Sequence, residues 1–261
     1  MSPLQESRAW FPFGLGREDA HMRLFCLPFA GGGASNFLSW RTRLEDAGVA
    51  VAPLQYPGHE TRLGEAPLHA WDDMLTALQE TIMPLLDRPY VLFGYSMGAR
   101  LASALAARLA NAGWPPMQLI VAAHVPPDLP SPALRAIGLD DDAFKALLLQ
   151  YGGIPVEMSH EPAFWEMVLP VMRADFALAA APFAAAPAAY PITAYAGADD
   201  RHADAESMAG WQRFTTADFV LKEFAGDHFF LRSADVCAAL NTDLARVARV
   251  RSADLHPLVS A

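Results

Sequence analysis

The chain has 261 residues, 53% of them hydrophobic and 18% charged, with a formal net charge of −10 and two cysteines. That length suits one α/β domain with a continuous core, and that composition excludes a disordered chain. The acidic balance excludes a nucleic-acid binder, which needs clustered Lys and Arg to neutralise phosphates; Cys26 and Cys237 lack metal-type spacing, so no metal site is expected.

In chain order, short apolar runs alternate with longer amphipathic stretches. Residues 24–27 form the first run and residues 49–52 the second. A helix is predicted over 71–86, a third run over 90–93, a second helix over 99–112 and a fourth run over 119–123. From 125 to 190 no strand is legible, and a structureless loop of that length is uncommon in a compact domain. Helix signals stand there instead. Asp140, Asp141 and Asp142 precede 143–151, with acid where a helix N-terminus favours it. Glu161-Pro162 opens a second helix through Trp165, Val168, Met172 and Phe176. The Ala/Pro-rich residues 179–189 read as an exit linker. Runs at 192–195 and 219–221 follow. Ser233 caps a last helix with Val236, Leu240 and Leu244 on its apolar face and Arg246, Arg249 and Arg251 at its C-terminal end.

Runs that are apolar without alternation are strands covered on both faces. Their alternation with helices predicts a doubly wound, mostly parallel α/β sheet in a single domain over 1–261, with a helical insertion at about 125–190.

Gly94-Tyr95-Ser96-Met97-Gly98 sits between the strand at 90–93 and the helix from 99, the strand-turn-helix setting of a nucleophile elbow in the α/β-hydrolase fold. A serine hydroxyl needs a base. That base is expected on a late loop, after the acid. His21, His59, His69, His124 and His160 come too early, His202 follows the acid too closely, and His256 lies in a tail. His228, between the last strand and the last helix, remains. The acid should follow a strand and precede the histidine. Asp199 and Asp200 compete there, and Asp200 is preferred. One oxyanion donor is the Met97 backbone N–H. The other comes from Pro28-Phe29-Ala30-Gly31-Gly32-Gly33, with Ala30 the first candidate and Phe29 or Gly31 as alternatives. Phe144, Met158, Trp165, Met167 and Met172 either line a cavity or pack the insertion, and the second is commoner for apolar residues at helical spacing. Arg62, Arg100 and Arg173 are candidates for phosphate or carboxylate contacts, with a solvated surface role as the alternative.

With these motifs in view the chain resembles the type II thioesterases of nonribosomal peptide and polyketide assembly lines. The likeness runs from about residue 24 to 232. It rests on Leu27-Pro28-Phe29-Ala30-Gly31-Gly32, Tyr56-Pro57-Gly58-His59-Glu60-Thr61-Arg62 and the elbow. It continues through Tyr151-Gly152-Gly153-Ile154-Pro155, Leu169-Pro170-Val171-Met172-Arg173-Ala174-Asp175 and Gly226-Asp227-His228-Phe229-Phe230-Leu231. The resemblance implies hydrolysis of acyl groups from the phosphopantetheine thiol of a carrier protein, with Ser96, Asp200 and His228 as the triad, no cofactor, and the insertion as a lid over an acyl chamber. Tyr95 stands where the family often has histidine, and Asp227 where it often has glycine.

A general carboxylesterase or lipase, a chain-terminating thioesterase, and a binding module on a hydrolase scaffold are the competing readings. Residues 1–17 lack a cationic start followed by an apolar stretch. No apolar run reaches the roughly eighteen residues a bilayer requires. A cytoplasmic monomer whose partner is a carrier protein, with no membrane association, is the expectation.

Overall fold

The computed structural model describes residues 8–44 and 48–254; His256 and the side chain of Arg251 lie outside the described residues. Six strands, β1 (Met22–Leu27), β2 (Val49–Pro53), β3 (Tyr90–Tyr95), β4 (Gln118–Ala122), β5 (Ile192–Gly197) and β6 (Phe219–Phe224), form one sheet in the order β2-β1-β3-β4-β5-β6. Every neighbouring pair is parallel. The helices are α1 (Leu38–Arg43), α2 (Trp71–Ile82), α3 (Met97–Asn111), α4 (Asp141–Tyr151), α5 (Pro162–Ala180), α6 (Ala205–Ala209) and α7 (Ala234–Asp254).

The strands divide their side chains between two cores because successive residues point to opposite faces. Leu24, Cys26, Val91 and Phe93 pack with Trp40 of α1 and with Val236, Leu240 and Leu244 of α7. Phe25, Leu27 and Leu92 pack with Leu78 of α2 and with Leu101 and Leu105 of α3. All six residues of β1 are buried, which accounts for the unbroken apolar run at 24–27; Arg23 before it is buried with its guanidinium on Asp87 and the Leu85 carbonyl. Each such Leu, Val or Phe contributes about 1.5–3 kcal/mol by leaving water.

Local signals set the element ends. Pro84 has no N–H to donate, and the helix predicted to 86 gives way to a 3-10 turn at Met83–Leu85. The Asp140 carboxylate accepts from Ala143 N–H at 2.9 Å and caps α4, which Gly152 ends at φ +82°. Pro162 opens α5. The run at 219–221 was expected as a strand buried like the others. β6 instead extends to Phe224, and most of its residues are only half-buried; it is one of the two edge strands, pairing with β5 alone, and unlike the other edge strand β2 it is not fully covered. Among the described residues no helix is long and apolar enough to cross a membrane.

The connections from β1 and β3 leave in opposite directions, one to β2 and one to β4. That reversal opens a crevice at the carboxyl ends of β1 and β3, which lie side by side with Leu27 opposite Gly94. Between β4 and β5 the chain is helical, through 3-10 turns at Pro132–Ala136 and Met158–His160 and through α4 and α5.

His124 anchors the start of that segment. Its Nδ1 donates to the Val125 carbonyl at 2.8 Å and its Nε2 accepts from Ser131 Oγ at 3.2 Å. Its own carbonyl accepts from the Trp211 indole at 2.8 Å. Burial, aided by the positive Arg100, holds the ring neutral and lowers its pKa to about 3. Unfolded, it titrates near 6.5. Between those values the unfolded chain binds the extra proton, so His124's contribution is full above about pH 6.5 and is lost as pH falls towards 3. The expected outcome is a stability loss of about 1.4 kcal/mol per pH unit between pH 6 and 4 from this residue alone. Urea denaturation across that range, compared with His124→Gln, measures it; equal slopes in the two proteins contradict it.

Candidate active site

Ser96 joins β3 to α3 with φ +52° and ψ −116°, a conformation that L-residues avoid and that costs on the order of 1–3 kcal/mol. Its N–H donates to the Ala122 carbonyl at 2.8 Å, which ties the turn to β4. The flanking glycines are required by close approach. A Cβ on Gly94 would lie 2.2 Å from the Gly98 carbonyl oxygen, and one on Gly98 would lie 2.1 Å from the Leu27 carbonyl oxygen. The sharp turn leaves Ser96 partly exposed while its neighbours are buried.

His228 Nε2 lies 3.0 Å from Ser96 Oγ, and His228 Nδ1 lies 2.9 Å from Asp200 Oδ2. The carboxylate fixes the tautomer: Nδ1 carries the proton and donates to Asp200, so the Nε2 lone pair faces the serine hydroxyl. Asp200 is buried, at 2% exposure. Its other oxygen accepts from His202 N–H at 2.8 Å and Ala203 N–H at 3.2 Å. Burial opposes the Asp200 charge, but the hydrogen bond and charge of His228 and those two N–H groups outweigh it and hold the carboxyl below its ordinary value. Asp199, the alternative, is exposed and turns away in the loop. His202 stacks on Tyr151 with ring centres 4.2 Å apart and meets the His228 ring edge-on at 5.5 Å.

The His228 loop is held by a group the sequence did not reveal. Tyr95, the residue before the serine, donates its hydroxyl to the His228 carbonyl at 2.7 Å and accepts from Leu231 N–H at 3.3 Å. Asp227 accepts from Phe229 N–H at 2.9 Å and closes the loop locally.

The loop after β1 turns back on itself, with Gly32 N–H donating to the Phe29 carbonyl at 2.9 Å. Gly31 N–H is taken by Asp175 Oδ2 at 2.6 Å, which removes Gly31 as an oxyanion donor. Ala34 N–H goes to Gln55 Oε1 at 3.1 Å and Ser35 N–H to Glu60 at 3.2 Å. Among the described residues Ala30 N–H has no such partner. The Met97 N–H is the first of α3, where no intrahelical acceptor exists and the helix dipole is positive.

A cavity of about 290 Å³ opens beside Ser96 and His228, walled largely by apolar side chains from the loop after β1, α4 and α5. Of the five insertion residues with two possible roles, Met167 and Met172 line it. Phe144 packs against Phe176 at 5.4 Å, Trp165 donates its indole N–H to the Ser159 carbonyl, and Met158 is exposed. The three arginines proposed for ligand contacts have internal partners. Arg62 bonds Glu65 and the Gln55 carbonyl and covers the Trp10 ring. Arg100 is buried against Trp71 and Phe183 and donates to the Ala181 carbonyl. Arg173 pairs with Asp141. The family likeness marked the segments holding His59, Glu60 and Asp175, but nothing in their spacing shows that they meet the oxyanion loop.

A family model described as a thioesterase domain matches residues 22–244. The chain is similar to the gramicidin S biosynthesis protein GrsT of Aneurinibacillus migulanus, 31% identical over 88% of this chain and 91% of that protein. It is 36% identical over 92% of its length to the antimetabolite synthetase AmbE of Pseudomonas aeruginosa, of which it spans only 12%. Among solved structures, the type II thioesterase BorB from the borrelidin biosynthetic cluster superposes with a TM-score of 0.78 at 30% identity, covering 89% of this chain and 96% of that one.

Removing the Tyr95 hydroxyl leaves the buried His228 carbonyl without its donor. Tyr95→Phe is expected to fold but to lose about 1–3 kcal/mol in urea denaturation. It should also slow labelling of Ser96 by a fluorophosphonate roughly tenfold, because the His228 ring is less well aimed at the Ser96 hydroxyl. Unchanged labelling contradicts this role for Tyr95.

Proposed function

The chain belongs to the thioesterase family, and from that membership we propose that it hydrolyses acyl thioesters borne on the phosphopantetheine arm of carrier proteins, clearing aberrant acyl groups from an assembly line. Ser96 is the nucleophile, His228 the base and Asp200 its orienting acid. The observation that carries the reading is the hydrogen-bonded chain from Ser96 Oγ to His228 Nε2 at 3.0 Å and from His228 Nδ1 to Asp200 at 2.9 Å.

Ser96 Oγ attacks the thioester carbonyl carbon while its proton passes to His228 Nε2. Asp200 stabilises the imidazolium that forms. The Ala30 and Met97 N–H groups receive the negative charge on the carbonyl oxygen, and one such donor is worth about 3 kcal/mol in the transition state. The tetrahedral species collapses, the C–S bond breaks, and the proton on Nε2 is available to the departing sulfur. A thiol with a pKa of about 8.5 needs that proton less than an amine would. Water then attacks the acyl-serine, giving its proton to Nε2; the acid leaves and Ser96 takes the proton back.

The helical insertion between β4 and β5 acts as the lid of the acyl chamber. The apolar walls beside Ser96 favour apolar acyl groups. The likeness to GrsT and BorB supports a carrier-borne substrate over a simple oxygen ester.

Release of a short acyl group from an acyl-phosphopantetheinyl carrier protein, set against the same group on a small oxygen ester, tests the proposal. The carrier substrate should have the higher kcat/KM. Ser96→Ala should lower turnover by about 10⁴-fold or more. Turnover of the oxygen ester with the carrier ignored overturns the substrate assignment and keeps the triad. Wild-type turnover that survives Ser96→Ala overturns the triad.

A further inference from the structure

Outside the triad the molecule buries a second histidine–carboxylate pair. His59 and Asp175 are exposed by only 3% and 1%. His59 Nε2 lies 2.8 Å from Asp175 Oδ2 and His59 Nδ1 lies 2.9 Å from the Pro57 carbonyl. Both ring nitrogens therefore face acceptors. A neutral imidazole has one N–H and would set a lone pair against an oxygen, so this geometry calls for the doubly protonated ring. Burial works against that charge, yet the hydrogen bond and charge of Asp175, with smaller help from the Pro57 carbonyl and Glu60, carry the His59 pKa above its ordinary value. The pair is thus a buried imidazolium and carboxylate whose charges cancel.

The same Asp175 oxygen accepts from Gly31 N–H at 2.6 Å. That N–H belongs to the central peptide of the turn closed by Gly32 N–H and the Phe29 carbonyl. Gly31, at the third position, has φ +74°, the signature of a type II turn. Types I and II share the closing hydrogen bond and differ by a flip of the central peptide, so that bond alone does not choose between them. Asp175 chooses, by holding Gly31 N–H. Ala30, at the first corner of the turn, is the oxyanion donor of the proposed reaction. Met172, one helical turn before Phe176, closes over Gly31 so tightly that a Cβ there would lie 2.7 Å from its sulfur.

We propose that Asp175 is a positioning residue for the hydrolysis: its carboxylate, neutralised by His59, grips the central peptide of the oxyanion turn and so anchors the loop that carries the Ala30 N–H against α5, beside the reacting carbonyl. This rests on the reading of Ser96 as nucleophile and Ala30 as donor. It makes one helix, α5, both a wall of the acyl chamber through Met172 and Phe176 and the clamp on the oxyanion loop through Asp175. The His59 charge has a definite part. Unpaired, a carboxylate one peptide unit from a developing oxyanion would oppose the reaction that its hydrogen bond serves.

Two replacements of nearly equal volume separate the role from packing. Asp175→Asn keeps an acceptor oxygen for Gly31 N–H, whereas Asp175→Leu has none. With a soluble acyl thioester, Asp175→Leu should lower kcat roughly 10- to 100-fold with KM within about threefold, and Asp175→Asn should recover most of kcat. A trifluoromethyl ketone, which forms a tetrahedral oxyanion on the serine, should lose affinity by the same factor as kcat. A folded Asp175→Leu protein with wild-type kcat, or one whose loss lies in KM, overturns the proposal. So does an Asp175→Asn protein as slow as Asp175→Leu. Should Asp175→Leu not fold, the amide proton of Gly31 decides: it should resonate far downfield in the wild type and move upfield in Asp175→Asn, and an unmoved signal overturns the proposal. Failure of the triad reading is distinct, since wild-type turnover would then survive Ser96→Ala.

Discussion

Leu27 and Pro28 at the end of β1 press so closely on Gly98 that no side chain fits between them, and Gly94 is equally close to the start of α3. That contact locks the carboxyl ends of β1 and β3 together. It forces Ser96 into its left-handed conformation and brings the loop after β1 beside the hydroxyl. The strain at Ser96 is small beside the burial of β1 and β3, whose side chains are almost all removed from water. The sheet is what allows the turn to persist.

Around that contact, the polar groups of the site are held by fixed partners. Tyr95 holds the His228 carbonyl from another element, the N–H groups of His202 and Ala203 hold Asp200 within its own loop, and Asp175, Gln55 and Glu60 hold the Gly31, Ala34 and Ser35 N–H groups of the loop after β1. All of these anchors except the exposed Glu60 are buried or half-buried groups that would be costly to leave unpaired. Their effect is to fix these groups in place within the folded chain; under the proposed function that is preorganisation, the groups that would meet a developing charge being aimed in advance. The buried carboxylates of Asp200 and Asp175 differ in what they face. Asp200 meets a histidine whose other nitrogen lies against the Ser96 hydroxyl, while Asp175 meets a histidine whose two nitrogens both lie against acceptors.

Much of the architecture was legible in the residues. Six apolar runs became six strands because both faces of a parallel sheet are covered, which leaves a continuous signal. That Ser96, His228 and Asp200 would each stand at a strand end could be read from their order along the chain, and the structure brings the three side chains within hydrogen-bonding distance. The reading of 219–221 as fully buried failed because a run of apolar residues does not reveal how completely the rest of the chain covers that strand, and the two edge strands differ in this. Gly31 was open as an oxyanion donor because its competing acceptor, Asp175, is 144 residues away. Arg62, Arg100 and Arg173 were open as ligand contacts for the same reason, since each finds its partners through packing.

The short helix α1 apart, from residues alone came the six strands, most of the helices and the turn around Ser96. These follow from periodicity, glycine and proline, which act within a few residues and so leave a trace in a short window. The tertiary structure alone decided the order of strands in the sheet, the engagement of Tyr95 with the His228 loop, and the meeting of His59 with Asp175 across 116 residues. Those choices rest on hydrogen bonds between groups distant in the chain. Their partners become definite only when burial removes water as the competing acceptor.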